Sequence, residues 1–295
     1  MSGAAPGSLP GGGKGGSGGG SGGGSGGAPR RGPRHPGARG ALAAAAAWTV
    51  GPFGLKDVFT LVNLASGVVG VHYAVTGQVR RAGYAVIVGF LLGDLLDGAV
   101  ARATGTGNRF GGQFDTITDH FVHIVVPGLV LYQVYAGAGH APLGAVVMGL
   151  LVAAASVRHS LFAVRGFEYP LCWCGLPRTI AGFGALSLPL SRVFPHLPAP
   201  YVTGAVVVGG MCVLCVVPIP YITHRGRALQ WYLKVFITVF FAGLPLCLLL
   251  ARSLFFDLLL LGTAFYAATG WIPLHPDERR DFAAERHLWA AAVER

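Results

Sequence analysis

Long apolar stretches, separated by short polar or basic segments, fill the chain from about residue 58 to residue 272. Several of them reach the roughly twenty residues that an α-helix needs to cross a bilayer. Pro189 and Pro195 interrupt the fifth stretch, and proline disrupts a helix because it lacks the backbone N–H. The fold class is therefore predicted to be all-α, an integral membrane helical bundle with about eight transmembrane helices. These helices are expected near residues 58–76, 82–103, 113–136, 142–164, 178–194, 202–222, 235–251 and 254–272.

The composition agrees with a membrane location. Hydrophobic residues make up 53% of the chain, charged residues make up 12%, and the mean hydropathy is +0.57. A soluble domain carries about twice that fraction of charged residues. The formal net charge is +10, but the basic residues lie in short loops between apolar spans, where they set topology and meet anionic lipid headgroups. We therefore expect no nucleic-acid partner.

Three regions differ in composition. Residues 1–50 are a Gly/Ser/Pro-rich tract with too few apolar side chains to offset the entropy lost on ordering, so a disordered tail is expected. This tract has no early apolar core of signal-peptide type, and its glycine content argues against an organellar transit peptide. Residues 51–273 are expected to form the membrane domain. The charged residues 274–295 predict either a helix in the membrane interface or a solvated helical tail.

The distribution of lysine and arginine predicts the orientation in the membrane. Basic residues are more frequent on the side of the bundle that includes the amino terminus, which predicts a cytoplasmic amino terminus. Eight spans then return the carboxyl terminus to the cytoplasm, and the expected location is the bacterial inner (cell) membrane. The residues on the cytoplasmic side are Arg30, Arg31, Arg34, Arg39, Lys56, Arg102, Arg109, Arg165, Arg178, Arg225, Arg227 and Lys234. The opposite side has Arg80, Arg81, Arg192 and Arg252.

The cysteines predict buried apolar positions and no metal site. Cys172 and Cys174 form a CxC pair, and Cys212 and Cys215 form a CxxC pair inside an apolar stretch. A zinc site needs about four converging ligands, and no matching cluster of histidine or cysteine lies nearby in the sequence.

Four of the twelve acidic residues lie within one short part of the chain, between two apolar stretches. Helical spacing places Asp94 and Asp97 on one face of the second predicted helix, and Asp115 and Asp119 on one face of the third. The segment 104–108, TGTGN, predicts a turn that folds the third helix back beside the second. The sequence therefore predicts that four carboxylates point into one space.

Clustered carboxylates repel each other and are costly to transfer into a membrane, so some must be protonated or neutralised by cations. Oxygen ligands of this kind suit a hard divalent ion such as Mg²⁺ or Mn²⁺. Gly98 and Ala101 share the face of the first two aspartates and leave room for a ligand. The alternative, in which each aspartate is an isolated helix cap or pairs with a residue such as Arg102, does not explain four acids on two consistent faces.

The segments DLLDGAVAR and GGQFDTITD, separated by eight residues, resemble the signature of the CDP-alcohol phosphatidyltransferase family. Eight positions and all gaps between them match that signature. The resemblance extends over about residues 55–272, and its specific part is this core. The matching positions are Asp94, Asp97, Gly98, Ala101, Arg102, Gly111, Asp115 and Asp119.

The resemblance implies a metal-dependent transfer of a phosphatidyl group from a CDP-linked lipid to a small polar alcohol, with release of CMP. It implies that Asp94, Asp97 and Asp115 bind two Mg²⁺ or Mn²⁺ ions, and that Asp119 completes this metal site or acts as the base. Asp119 and Asp115 are thus the implied catalytic residues. A homodimer is also implied by the family. The implied CDP-binding residues are Thr60, Gly98, Ala101, Arg102 and Gly111, with Thr60 lying in the family-like segment DVFTLVN, which begins at Asp57 where the family has asparagine.

Three weaker features are similar to the phosphatidylserine synthase branch of the family. They are Pro127, Arg158 followed by the GLP segment 175–177, and the Ile-Pro-Tyr segment 219–221. The branch implies CDP-diacylglycerol and L-serine as substrates. Arg158 is implied to bind the acceptor because an arginine inside the membrane needs an anionic partner.

Two departures from the branch leave other acceptors open, namely inositol phosphate, glycerol phosphate, ethanolamine and choline. The segment 122–124 is Val-His-Ile where the branch has Ser-Phe-Gly, and 158–160 is Arg-His-Ser where it has Arg-Phe-Asn. His123 lies one helical turn after Asp119 and is a second acceptor-binding position.

Other functions with similar residues are less consistent with the pattern. A membrane prenyltransferase would carry two aspartate motifs far apart in the sequence, but here all four aspartates fall between residues 94 and 119. A divalent-cation transporter often contains an internal repeat, and no second copy of the aspartate motif is present. A scaffold protein derived from the enzyme family would not need the intact signature.

Overall fold

The computed structural model describes residues 49–50, 53–96, 100, 109–165, 172–223 and 231–291. The predicted disordered tail therefore lies almost entirely outside the described residues. Ten helices are numbered along the described part: α1 (Leu55–Val75), α2 (Val79–Gly89), α3 (Arg109–His120), α4 (Val126–Gly137), α5 (Ala141–Arg165), α6 (Arg178–Leu190), α7 (Pro200–Val216), α8 (Trp231–Leu250), α9 (Phe255–Thr269) and α10 (Pro276–Ala291). Four short strands are β1 (Thr49–Val50), β2 (Phe53–Gly54), β3 (Cys172–Cys174) and β4 (Pro220–Ile222).

Each of the eight predicted spans overlaps a helix among the described residues, so the all-α membrane bundle is confirmed. The last part of the second span lies mostly outside the described residues. Among the described residues, three helical segments are both long and apolar enough to cross a membrane: Leu55–Val75, Arg109–Gly137 and Ala141–Leu161. Two shorter apolar helices cover Pro200–Val216 and Ile237–Leu250. The number of eight transmembrane crossings remains a prediction.

Two predicted spans end earlier than the hydropathy indicates. The fifth ends at Leu190, next to Pro189, and not at residue 194. The sixth ends at Val216, and the segment Pro220–Ile222 is a strand paired with Cys172–Cys174. In both cases proline removes a helical hydrogen-bond donor within an apolar segment, which hydropathy alone does not register.

Helix α6 lies at the centre of the bundle. All of its residues from 181 to 190 are buried, as expected for a helix surrounded by other helices on every side. One apolar core contains side chains from α4, α5, α6 and α7, and a second contains side chains from α1, α2, α4, α6 and α9. Helices α4 and α6 contribute side chains to both cores and therefore hold the two cores together.

The outer surface of the bundle is apolar. Large side chains such as Val69 of α1, Val146 of α5 and Val206 of α7 are more than two-fifths exposed. A surface of this kind is unfavourable in water and favourable in contact with lipid chains. The protein is therefore an integral membrane protein.

A small two-stranded sheet joins the connection between α5 and α6 to the connection between α7 and α8. Strands β3 and β4 are antiparallel, with Trp173 opposite Tyr221. Helix α10 packs its Phe282 on the cluster that contains Cys172, Cys174 and Ile222. The charged carboxyl-terminal segment thus forms a helix that contacts this sheet through Phe282.

Candidate active site

The structure brings together aspartates from two helices. Asp94 lies at the end of a π-helical segment, Phe90–Asp94, that continues α2. Asp115 and Asp119 lie one turn apart on α3. Ligand atoms of Asp94, Asp119 and His123 all lie within 4.8 Å of one another.

Four residues of the sequence signature lie outside the described residues. These are Asp97, Gly98, Ala101 and Arg102. The described part of the site consequently consists of Asp94, Asp115 and Asp119 with the residues that pack around them.

Two π-helical segments flank the aspartate cluster. Phe90–Asp94 carries Asp94, and Phe121–Val125, between α3 and α4, carries His123. A π turn inserts an additional residue into a helical turn and occurs frequently at functional sites. The chain therefore departs from regular α geometry at the two places where these side chains approach each other.

Three side chains from different elements surround the carboxylate of Asp119. The Nδ2 atom of Asn63 donates to Oδ1 over 3.4 Å, and Nδ1 of His123 lies 3.4 Å from the same oxygen. The Nη2 atom of Arg178 lies 3.9 Å from Oδ2 and donates to the carbonyl oxygen of Thr116 over 3.3 Å. The two carboxylate oxygens thus face different neighbours, which fixes the orientation of Asp119.

A buried polar stripe on α1 faces α3. Asp57, Thr60 and Asn63 are spaced three residues apart, and none is more than 1% exposed. The backbone N–H of Gly54 donates to Oδ2 of Asp57 over 2.8 Å, and Nζ of Lys56 lies 3.1 Å from Oδ1 of Asp57. The stripe contains Thr60, the CDP-binding residue that the resemblance implies. It also contains Asp57, which stands where the family has asparagine.

Gly111 allows α3 to approach this stripe. A Cβ atom at position 111 would collide with Nζ of Lys56 and with Oδ1 of Asp57. Any larger residue would force the side chains of Lys56 and Asp57 to move, so glycine fits the close packing of α3 on α1.

Arg158 is held by the segment before α6. Its guanidinium is buried, and Nη2 donates to the carbonyl oxygens of Cys174 (3.0 Å) and Gly175 (3.3 Å). Gly175 has φ +73, a left-handed conformation that favours glycine, and its N–H donates to the carbonyl oxygen of Ile219. The arginine, the GLP segment and the Ile-Pro-Tyr segment, which are far apart in the sequence, thus meet in the structure.

Arg178 and Asn63 contact Asp119, but sequence reasoning did not select either as a site residue. The sequence predicts Arg178 only as a basic residue at the cytoplasmic edge of the fifth span, and it marks Asn63 only as the last residue of the DVFTLVN segment. The sequence does contain a pattern that could have identified Arg178. It is a basic residue at the first position of an otherwise apolar helix, and most of that helix is buried in the structure.

The described donor atoms fit a divalent cation. The carboxylates of Asp94 and Asp119 come from facing helices, and a side-chain oxygen of Asp115 is buried one turn away. Hard cations such as Mg²⁺ and Mn²⁺ prefer carboxylate oxygens, and several acids this close in a membrane protein need positive charge beside them. Among the described residues, Asp94 and Asp119, with Asp115 nearby, could therefore hold such a cation.

Comparison with known proteins gives a consistent result. The family model for CDP-alcohol phosphatidyltransferase matches residues 54–240. A CDP-diacylglycerol–serine O-phosphatidyltransferase of Helicobacter pylori J99 is 28% identical over 186 residues, which are 62% of this chain and 77% of the relative. The protein of the same name from Helicobacter pylori 26695 is 31% identical over 122 residues, 41% of this chain and 51% of the relative. That from Methanocaldococcus jannaschii is 28% identical over 113 residues, 38% and 52% of the two chains.

The matched region includes helices α1 to α7 and therefore every side chain described in the site. The prenyltransferase and cation-transporter alternatives do not agree with this match. Because the family model covers more than half of the chain, the protein belongs to the CDP-alcohol phosphatidyltransferase family.

Proposed function

We propose that the enzyme transfers the phosphatidyl group of CDP-diacylglycerol to the hydroxyl group of L-serine and releases CMP, in phospholipid biosynthesis. The observation that supports this most directly is the meeting of Asp94 and Asp119 beside the guanidinium of Arg178. The names of the three relatives support the same donor and acceptor.

The donor would bind on the aspartate side of the site. Two Mg²⁺ or Mn²⁺ ions held by Asp94, Asp97, Asp115 and Asp119 would neutralise the pyrophosphate of the CDP-lipid and stabilise the leaving CMP. Thr60 and Gly111 lie where α1 and α3 pack together, and we assign them with Gly98, Ala101 and Arg102 to the CDP pocket. Gly98 and Ala101 would allow the nucleotide to approach the backbone, and Gly111 would allow α3 to pack closely on α1.

The acceptor oxygen would attack the phosphorus that carries the diacylglycerol. A new oxygen–phosphorus bond forms, the bond between that phosphorus and the CMP oxygen breaks, and the hydroxyl proton goes to a carboxylate. Asp119 is suited to accept this proton because Asn63 and Arg178 orient its carboxylate. Of its two oxygens, Oδ2 faces Arg178, which we place on the acceptor side.

The guanidinium of Arg178 favours an acceptor that carries an anionic group. Its Nη1 atom is buried and has no hydrogen-bond partner within the described residues. A buried cationic donor is stabilised by a carboxylate or a phosphate, and an arginine can bind either through two parallel hydrogen bonds. Serine fits through its carboxylate. Inositol phosphate and glycerol phosphate fit through their phosphates, whereas ethanolamine and choline provide no anion.

The predicted orientation places this site at the cytoplasmic end of the helices. We propose the bacterial inner membrane as the location, with both termini in the cytoplasm. The site would then take serine from the cytoplasm and release CMP into it. A homodimer is proposed on the basis of the family.

The direct test is an acceptor panel. Purified protein would be supplied with CDP-diacylglycerol, Mg²⁺ or Mn²⁺, and one radiolabelled acceptor at a time: serine, inositol phosphate, glycerol phosphate, ethanolamine or choline. We expect labelled lipid and an equimolar amount of CMP with serine, and loss of both when EDTA is added. Product with ethanolamine or choline but not with serine would contradict the acceptor assignment, and turnover that survives EDTA would contradict the metal dependence.

The Arg178→Gln substitution tests the anion-binding role. We expect the KM for serine to rise about 10- to 100-fold, because a hydrogen bond to a charged group contributes about 1.5–3 kcal/mol. The KM for CDP-diacylglycerol should change little, and both constants follow from initial rates at varied substrate. Arg192→Gln is the matched control, since Arg192 pairs with Asp257 at the start of α9 and is largely exposed. Equal increases in the KM of both substrates would contradict a specific acceptor role.

A further inference from the structure

His123 is completely enclosed by the bundle. Its side chain is 0% exposed and lies in the π-helical segment Phe121–Val125. The imidazole packs edge-on against Phe90 of the α2 extension and Phe183 of α6, with ring centroids 5.5 Å and 5.3 Å away. An apolar side chain would satisfy this packing, so the two ring nitrogens need another explanation.

Neither ring nitrogen of His123 has a hydrogen-bond partner in the described part of the chain. Nδ1 lies 3.4 Å from Oδ1 of Asp119, but the contact does not have hydrogen-bond geometry. A buried polar atom without a partner costs free energy, and such atoms are rare in native proteins unless a water or an ion completes them. The imidazole is therefore placed beside the acidic cluster with a nitrogen lone pair unused.

The distances agree with ligands of a single cation. Two ligand atoms each about 2.1 Å from one ion are about 3 Å apart when adjacent and about 4.2 Å apart when opposite. The nitrogen–oxygen distance of 3.4 Å lies within this range, and the ligand atoms of Asp94, Asp119 and His123 all lie within 4.8 Å of one another. A small contraction of the group would place all three around one ion.

We propose that His123 is a nitrogen ligand of one of the divalent cations and makes this site prefer Mn²⁺ to Mg²⁺. The proposal rests on the proposed metal-dependent function and adds a ligand that the four-aspartate signature does not contain. It also gives His123 a role facing the metal in place of the acceptor-binding role suggested by its spacing from Asp119.

The preference follows from the chemistry of the ligand atoms. Mg²⁺ binds oxygen ligands almost exclusively, whereas imidazole is a good ligand for transition metals. The imidazole is enclosed by Phe90 and Phe183, so a water molecule cannot easily replace it as a ligand of the cation. Replacing one oxygen ligand by this nitrogen therefore stabilises bound Mn²⁺ more than bound Mg²⁺.

The test is pulsed electron paramagnetic resonance of Mn²⁺ bound to the purified, tag-free enzyme. A coordinated imidazole gives a ¹⁴N modulation, which should change to that of ¹⁵N when the protein is made with ¹⁵N-histidine. We expect the modulation in the wild type and its loss in His123→Phe, which keeps an aromatic ring in the pocket. His123→Gln is the second variant and offers an amide oxygen. His140→Gln is the matched control, because His140 lies between α4 and α5 beside Tyr201.

Metal titration supplies a second readout. Loss of a direct ligand should weaken Mn²⁺ binding by about tenfold or more in both His123 variants, with a change of less than about threefold for Mg²⁺. Equal weakening of both metals would overturn the selectivity, and wild-type Mn²⁺ without histidine nitrogen modulation would overturn the ligand assignment. Either result leaves the proposed function intact if CDP-diacylglycerol turnover still requires a divalent cation. Failure of the proposed function would instead be seen as wild-type protein without any metal-dependent turnover.

Discussion

Replacing Asp119 with asparagine is expected to lower kcat by about 10³-fold, within the range that a positioned proton acceptor contributes. Asparagine has nearly the same shape as aspartate, but it cannot accept the proton of the acceptor hydroxyl and is a weaker ligand for a divalent cation. Its amide can still pack beside Asn63 and Arg178, so the fold should be retained. The measurement is the rate of CMP release at saturating CDP-diacylglycerol and serine.

Asp257→Asn is the matched control for the loss of an acid. Asp257 accepts hydrogen bonds from the backbone N–H and Nε of Arg192. This pair is partly exposed and contributes at most about 1 kcal/mol to stability, so turnover should stay near that of the wild type. Near-normal turnover in Asp119→Asn would remove Asp119 from the catalytic site, whereas equal losses in both variants would point to a general effect of charge.

The Gly182→Ala substitution is expected to lower the free energy of unfolding by about 3 kcal/mol, at the upper end of the cost of overpacking, and to abolish turnover. A Cβ atom at this position of α6 would overlap the carbonyl oxygen of His123. The blocking atom belongs to the backbone and cannot rotate away, so α6 must move from the π-helical segment. Thermal unfolding in detergent and the rate of CMP release measure the two effects.

The same movement would displace Arg178, which lies one turn before Gly182 on α6. Gly210→Ala on α7 is the matched control, because a Cβ atom at position 210 meets nothing within 4 Å. We expect it to leave unfolding and activity nearly unchanged. If Gly182→Ala behaves like this control, the close contact between α6 and the site is not needed for activity.

Local patterns in the sequence singled out the aspartates of the candidate site, but not all of the side chains that contact Asp119 in the structure. The long apolar stretches predicted the membrane bundle, and the signature that contains Asp115 and Asp119 resembled that of the family. Arg178 and Asn63 could not be found in this way. They lie 59 and 56 residues from Asp119, and no periodic pattern along one helix relates such positions.

Irregular backbone was also beyond the sequence patterns. The π-helical segments at Phe90–Asp94 and Phe121–Val125 interrupt helices that hydropathy describes as continuous. Their extra residue is stabilised by packing between helices and not by local propensity, since single π turns are unfavourable on their own. Because His123 lies in a π-helical segment, regular α-helical spacing from Asp119 predicts its position only approximately.

The sequence by itself determined that the chain is an α-helical membrane protein, which two adjacent helices carry the acidic residues, and which family they indicate. These features depend on hydrophobicity and helical periodicity, both of which act over short distances along the chain. The tertiary structure alone decided that α6 brings Arg178 to Asp119, that α1 brings Asn63, and that His123 is enclosed beside the carboxylates. These contacts depend on how helices distant in sequence pack against each other, and that packing is fixed by the fit of many side chains at once.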